Sequence, residues 1–134
     1  MTGSDPAARI LIVEDEDNIA LALTHVLRRE GWEVSRVANG DAALPAIRAE
    51  HPDLVLLDVM LPGQSGYEIC QAMRLDETLS DVRILMMTAR GNAMERRKGL
   101  ALGADGFIAK PFDLSTLMAQ VRAMLAGETE ANDA

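Results

Sequence analysis

Leu54-Val55-Leu56-Leu57-Asp58-Val59-Met60-Leu61-Pro62-Gly63 decides the fold. Four aliphatic residues in succession leave no polar face, which is how a parallel strand covered on both sides reads. The run ends on a carboxylate, and ligands of open parallel sheets gather beyond the carboxyl ends of the strands. Working outward, the pattern recurs. Ile10-Leu11-Ile12-Val13 runs into Glu14-Asp15-Glu16-Asp17, Ile84-Leu85-Met86-Met87 into Thr88, and Phe107-Ile108-Ala109 into Lys110-Pro111. Acids, a hydroxyl and a lysine are thereby expected on one edge of one sheet.

Between these runs lie helical patterns, so parallel strands joined by helical crossovers are predicted. A helix is expected from about Asp17 to Glu30, with Ile19, Ala20, Leu23 and Val26 on its apolar face and Gly31 closing it; Asp17 is placed to cap its start. Glu33 to Val37 alternates and reads as a partly exposed edge strand. Asn39-Gly40 opens a second helix to about Glu50, in which Pro45 would cost roughly 3 kcal/mol unless the helix kinks or starts late. A third helix spans about Gly66 to Leu75, and Asp76 to Ser80 forms a loop. A strand covers Val82 to Met87, a helix about Ala93 to Leu102, and a last helix runs from near Asp113, a plausible N-cap, to near Ala126. Five such units fall short of an eight-unit barrel of about 250 residues. They predict an α/β, flavodoxin-like doubly wound (βα)5 fold, its parallel five-stranded sheet ordered 2-1-3-4-5, with the ends of the first and third strands meeting at the switch point.

The 134-residue length suits a single domain over residues 9–126, flanked by a flexible arm over 1–8 and a disordered acidic tail over 127–134. A net charge of -8 argues against non-specific nucleic-acid binding and against an anionic membrane surface. Cys70, the single cysteine, cannot form an internal disulfide and suggests a reducing compartment. Met1 to Arg9 has no apolar core of a signal peptide, and no stretch approaches the roughly 18 apolar residues of a membrane span. A cytoplasmic domain is expected. His25 and Arg96-Arg97-Lys98 read as helix-surface groups, and Met86, Met87, Met118 and Met124 as core.

Taken singly, each strand-end residue has an ordinary explanation as a turn, a cap or a surface charge. Taken in order, Ile12-Val13-Glu14-Asp15-Glu16, Leu57-Asp58-Val59-Met60-Leu61-Pro62-Gly63, Met87-Thr88-Ala89-Arg90 and Gly103-Ala104-Asp105-Gly106-Phe107-Ile108-Ala109-Lys110-Pro111-Phe112 resemble the receiver domain of two-component response regulators. The resemblance implies a phosphoacceptor that assists its own phosphorylation and slow dephosphorylation, and is not an enzyme acting on a separate substrate. Asp58 would accept a phosphoryl group from a sensor histidine kinase or phosphotransfer protein. It implies Mg2+ held by Asp15, Asp58 and the Met60 backbone carbonyl, with Glu14 acting through water. Lys110, Thr88 and the Ala89 backbone N–H would meet the phosphoryl oxygens. It also implies a cis Lys110-Pro111 bond. Thr88 and Phe107 would act as the switch pair that alters the face formed by the fourth helix, fifth strand and fifth helix, and so controls an unknown downstream protein.

Met60 and Arg90 occupy the positions that tune the lifetime of the phosphoryl group. Met60 cannot orient an attacking water by hydrogen bonding, so slow self-hydrolysis is predicted. The Met60-Leu61-Pro62-Gly63 and Thr88-Ala89-Arg90-Gly91 segments are similar to receivers attached to winged-helix DNA-binding domains. Gly106 stands where those receivers carry a second acid after Asp105, and Gln120 where they carry a base, so a monomer or a weak phospho-dependent dimer is expected. The few residues after the last helix are too short for an output domain, so a stand-alone receiver without direct nucleic-acid contact is expected, although a receiver excised from a longer chain would read the same way. The main rival is a pseudo-receiver, a phosphorylation-independent interaction module. A haloacid-dehalogenase phosphatase would want a second aspartate where Met60 stands. A flavodoxin-type flavin carrier would have to bind phosphate beside four acids.

Overall fold

A computed structural model describes residues 7–89 and 93–127. Five strands alternate with five helices: β1 (Arg9–Val13), α1 (Asp17–Arg29), β2 (Glu33–Val37), α2 (Ala43–Glu50), β3 (Leu54–Asp58), α3 (Gly66–Leu75), β4 (Arg83–Thr88), α4 (Ala93–Ala101), β5 (Gly106–Ala109) and α5 (Leu114–Leu125). All strand pairs are parallel, and the order is β2-β1-β3-β4-β5, as the strand pattern predicted. β1 therefore has neighbours reached by connections running in opposite directions, and the crevice opens between the ends of β1 and β3.

The apolar runs are explained by two cores, one on each face of the sheet. Leu11, Val13, Val55, Leu57, Ile84, Met86 and Phe107 point to one side, against Ile47 of α2 and Ile69 and Met73 of α3. Ile10, Ile12, Leu54, Leu56, Leu85, Met87 and Ile108 point to the other, against Leu23 and Leu27 of α1 and Leu117 and Val121 of α5. Alternation along a strand puts successive residues on opposite faces, so a strand with helices on both sides must be apolar throughout. β2, at the sheet edge, is only half covered. The four methionines read as core are buried.

Several local expectations are corrected. The second helix does not begin at Asn39-Gly40. The Asn39 side chain accepts from Ala42 N and caps a 3-10 turn, Gly40–Ala42, and α2 begins afterwards. Pro45 then falls in the first turn of α2, where its missing N–H has no intrahelical partner to lose. The loop expected over Asp76 to Ser80 contains a 3-10 turn, Glu77–Leu79, capped by the Asp76 carboxylate on Thr78 N. Asp17 is the first residue of α1, with Glu16 in the capping position. Asp113 holds the N-cap position of α5 without a side-chain cap bond. Ala8, assigned to the arm, accepts through its carbonyl from Glu33 N. Residues 1–6 of that arm, 128–134 of the tail, and Arg90 lie outside the described residues.

The far end of the sheet is tied by Arg74 of α3. Its Nε donates to Gly103 O at 2.8 Å, and its Nη2 donates to Val82 O and Asp105 Oδ2, each at 2.9 Å. Asp105 also accepts from Ile84 N at 2.8 Å. Asp105, the acid that precedes Gly106, is thus bound within the chain.

Candidate phosphoacceptor site

Glu14 follows β1 and Asp58 ends β3, and the register Val13↔Leu57 sets them side by side at the switch point. Both are buried, at 0% and 3% exposure. Asp15, one residue on, is exposed, yet one carboxylate oxygen from each of the three acids lies within 4.8 Å of the others. Lys110, just past β5, reaches back across the sheet end. Its Nζ is 2.6 Å from Glu14 Oε1 and 3.3 Å from Asp58 Oδ2. Glu16 Oε1 stands 3.8 Å from the same nitrogen. Met60 N donates to Asp58 Oδ1 at 3.3 Å, while the Met60 side chain is 60% exposed.

Thr88, buried at the end of β4, accepts from Lys110 N through its backbone carbonyl, which fixes the start of the segment carrying the ammonium. The Lys110–Pro111 peptide bond is cis. Ala89 is exposed beside this segment, and lines with Ile19, Leu23, Pro111 and Phe112 a cavity of about 480 Å3 that reaches Lys110. Phe107 is buried in the core. A Cβ added to Gly99 of α4 would lie 3.2 Å from its ring, so α4 seats on β5 through a residue without a side chain.

The electrostatics follow from the burial. Asp58 is pushed up from 3.8 to about 6, first by burial and then by the charge of Glu14, with Lys110 opposing. Burial pulls the Lys110 ammonium down, but its hydrogen bond to Glu14 and the charges of Asp58 and Glu14 prevail and hold it above its ordinary value. Three carboxylates against one ammonium leave two negative charges in the crevice. Oxygen donors with that excess suit a hard divalent cation such as Mg2+. The residues present fit such an ion.

Three contributors were not singled out from sequence. Arg36 of β2 donates from Nε to Glu14 O at 2.9 Å. It was unreadable in advance, because a basic residue on an alternating edge strand ordinarily faces solvent. Gly66 lets α3 start against the end of β3, where a Cβ would lie 2.4 Å from Asp58 O. Gly40 performs the same service for the loop carrying Met60. Its N donates to Pro62 O at 2.9 Å, and a Cβ there would lie 1.8 Å from Gln64 O. Asn39-Gly40 was visible as a helix start, but not what it would touch.

Comparison with known proteins gives this arrangement its family. The phosphate regulon transcriptional regulatory protein PhoB of Rhizobium meliloti is 44% identical over 117 residues, 87% of this chain and 52% of PhoB. The DNA-binding response regulator MtrA of Mycobacterium tuberculosis strain H37Rv is 46% identical over 117 residues, 87% of this chain and 50% of MtrA. The chain thus spans about half the length of these relatives. The crystal structure of the Vibrio cholerae chemotaxis protein CheY4 superposes with a TM-score of 0.81 at 31% identity, covering 87% of this chain and 98% of that one. The sequence profile of the response regulator receiver domain matches residues 10–122, and the chain belongs to that family.

Proposed function

We propose that the chain is the phosphoacceptor of a two-component phosphorelay and that Asp58 takes the phosphoryl group. The observation that carries this reading is the buried Asp58 carboxylate at the switch point, held between Lys110 and Glu14 with Asp15 beside it. With its pKa at about 6, Asp58 is about ten parts in eleven ionised at pH 7, and so available as a nucleophile. One Asp58 oxygen attacks the phosphorus of a phosphohistidine on a sensor kinase or phosphotransfer protein, and the P–N bond breaks as the imidazole departs. Lys110 offers its ammonium to a phosphoryl oxygen, Thr88 its hydroxyl and Ala89 its backbone N–H. Mg2+, held by Asp15, Asp58 and the Met60 carbonyl with Glu14 at one remove, supplies the remaining charge neutralisation.

The group that arrives at Asp58 acts on Thr88 and Phe107 and through them on the face of α4, β5 and α5, which meets the downstream protein. The exposed Met60 side chain offers no hydrogen bond to an attacking water, in keeping with a long-lived phosphoryl group. Gly106 in place of a second acid and Gln120 in place of a base support a monomer or weak dimer. Among the described residues no helix is long and apolar enough to cross a membrane.

Intact mass after incubation with acetyl phosphate and Mg2+ tests the reading. One added phosphoryl group is expected, absent in Asp58→Asn and absent after chelation. No adduct in the wild type, or an adduct that survives Asp58→Asn, would overturn it in favour of a module that works by docking alone.

A further inference from the structure

The turn that carries Asp15 is closed from within by one bond, Glu16 N donating to Glu14 Oε2 at 3.1 Å. α1 begins at Asp17, and its N-cap residue Glu16 makes no side-chain cap bond. Four consecutive acids, Glu14 to Asp17, repel one another across that turn. β2 supplies what is missing. The β1–β2 register ends at Val13↔Val37, but pairing continues for one more residue, Glu14 N donating to Val37 O at 3.1 Å. Arg36 then takes the other backbone group of the same residue, its Nε donating to Glu14 O at 2.9 Å. Its Nη2 lies 2.9 Å from Asp17 Oδ1. That nitrogen is fully buried, and the contact is an ion pair outside hydrogen-bonding geometry.

We propose that Arg36 is a positioning residue: its guanidinium staples the two ends of the acidic turn, Glu14 and Asp17, and thereby sets the affinity of the Glu14–Asp15–Asp58 cluster for a divalent cation. The proposal rests on the Mg2+ reading given above. Asp15 sits between the two anchored residues, so the staple fixes a carboxylate that is itself exposed. The Asp17 arm is 89% exposed and contributes little energy on its own. The carbonyl arm, at the root of the turn, is the one that holds geometry. Outer partners that orient metal ligands ordinarily change metal affinity by about 10–100-fold.

Charge alone predicts the opposite sign. Removing a cation beside three carboxylates raises their attraction for Mg2+, whereas loosening the turn lowers it. Mg2+ titration of the whole chain by calorimetry, with wild type, Arg36→Ala, Arg36→Lys and Asp15→Asn, separates the two. Arg36→Ala should raise the Mg2+ Kd on the order of tenfold. Arg36→Lys should raise it by a smaller factor, because an ammonium keeps the charge and loses the fork. The rate of acetyl phosphate labelling should fall at limiting Mg2+ and recover at saturating Mg2+. Unchanged or tighter binding in Arg36→Ala, or a wild-type Kd in Arg36→Lys, would overturn the staple. Should Arg36→Ala fail to fold, Arg36→Lys decides the question. Absence of Mg2+ binding in the wild type would instead remove the metal reading itself, and the staple with it.

Discussion

Asp58→Asn should make the metal-free protein more stable, although it removes a residue central to the site. Asp58 has a folded-state pKa of about 6 against an ordinary 3.8, driven first by burial and then by Glu14. The folded state therefore holds its proton more tightly than the unfolded state does. The interval between the two values, at about 1.4 kcal/mol for each tenfold, makes the ionised carboxylate about 3 kcal/mol costlier in the folded protein. That cost is complete above about pH 6 and lifts as the pH falls toward 3.8, where both states are protonated. Asparagine has nearly the shape of the protonated acid and carries no charge. At pH 7.5 with a chelator, Asp58→Asn should gain about 3 kcal/mol, on the order of 10 °C in Tm. The advantage should shrink to about 0.5 kcal/mol by pH 4. Urea unfolding of both proteins at pH 7.5, 6 and 4 measures it. Mg2+ should close most of that gap, because the wild type gains about 2.7 kcal/mol at a hundredfold excess over Kd, while the variant lacks one carboxylate of the cluster. An advantage independent of pH, or a metal-free variant less stable than wild type at pH 7.5, would refute the electrostatic account of the crevice.

Other outcomes follow from individual contacts. Arg74→Ala removes one donor each from three carbonyls and from the Asp105 carboxylate, and should cost about 3 kcal/mol in urea unfolding with no rescue by lysine. Gly40→Ala drives a Cβ into Gln64 O; a loss of about 2 kcal/mol or more is expected, together with shifted amide resonances over Val59 to Gln64. The Cys70 thiol is buried and pushed up to about 11, chiefly by burial. Alkylation at pH 8 should therefore be undetectable in native protein and rapid in urea, as mass spectrometry would show.

The sheet was legible because its strands are covered on both faces, a condition that leaves no choice but unbroken aliphatic runs such as Leu54 to Leu57. The strand-end acids and Lys110 were legible only together: each alone reads as a turn, a cap or a surface charge, but their recurrence at successive strand ends does not. The topology then joined Glu14 to Asp58 before any distance was known. What stayed hidden is what long side chains and loops do after the backbone is set. Arg74 has the spacing of a solvated helix residue, yet it spends its donors on carbonyls from two loops. Asp105 stood out only as the acid before Gly106, and it is bound by that same arginine. Pro45 was puzzling because the second helix was started at Asn39, and only the cap made by the Asn39 side chain on Ala42 N reveals the 3-10 turn that delays it. Arg36 carried no signal, since its partner is a backbone carbonyl that every residue possesses.

The ion pair across the crevice also bears on how the protein comes into being. Lys110 and Glu14 are 96 positions apart, and Lys110 and Asp58 are 52 apart. A ribosome delivers all three acids early, while the ammonium that offsets them arrives with the last strand. A nascent chain holding β1 to β3 would have to bring carboxylates together with no counter-charge, so the crevice closes last. On the phosphoacceptor reading proposed above, competence to take a phosphoryl group would belong to finished molecules, and a half-folded copy would not draw signal from an upstream donor.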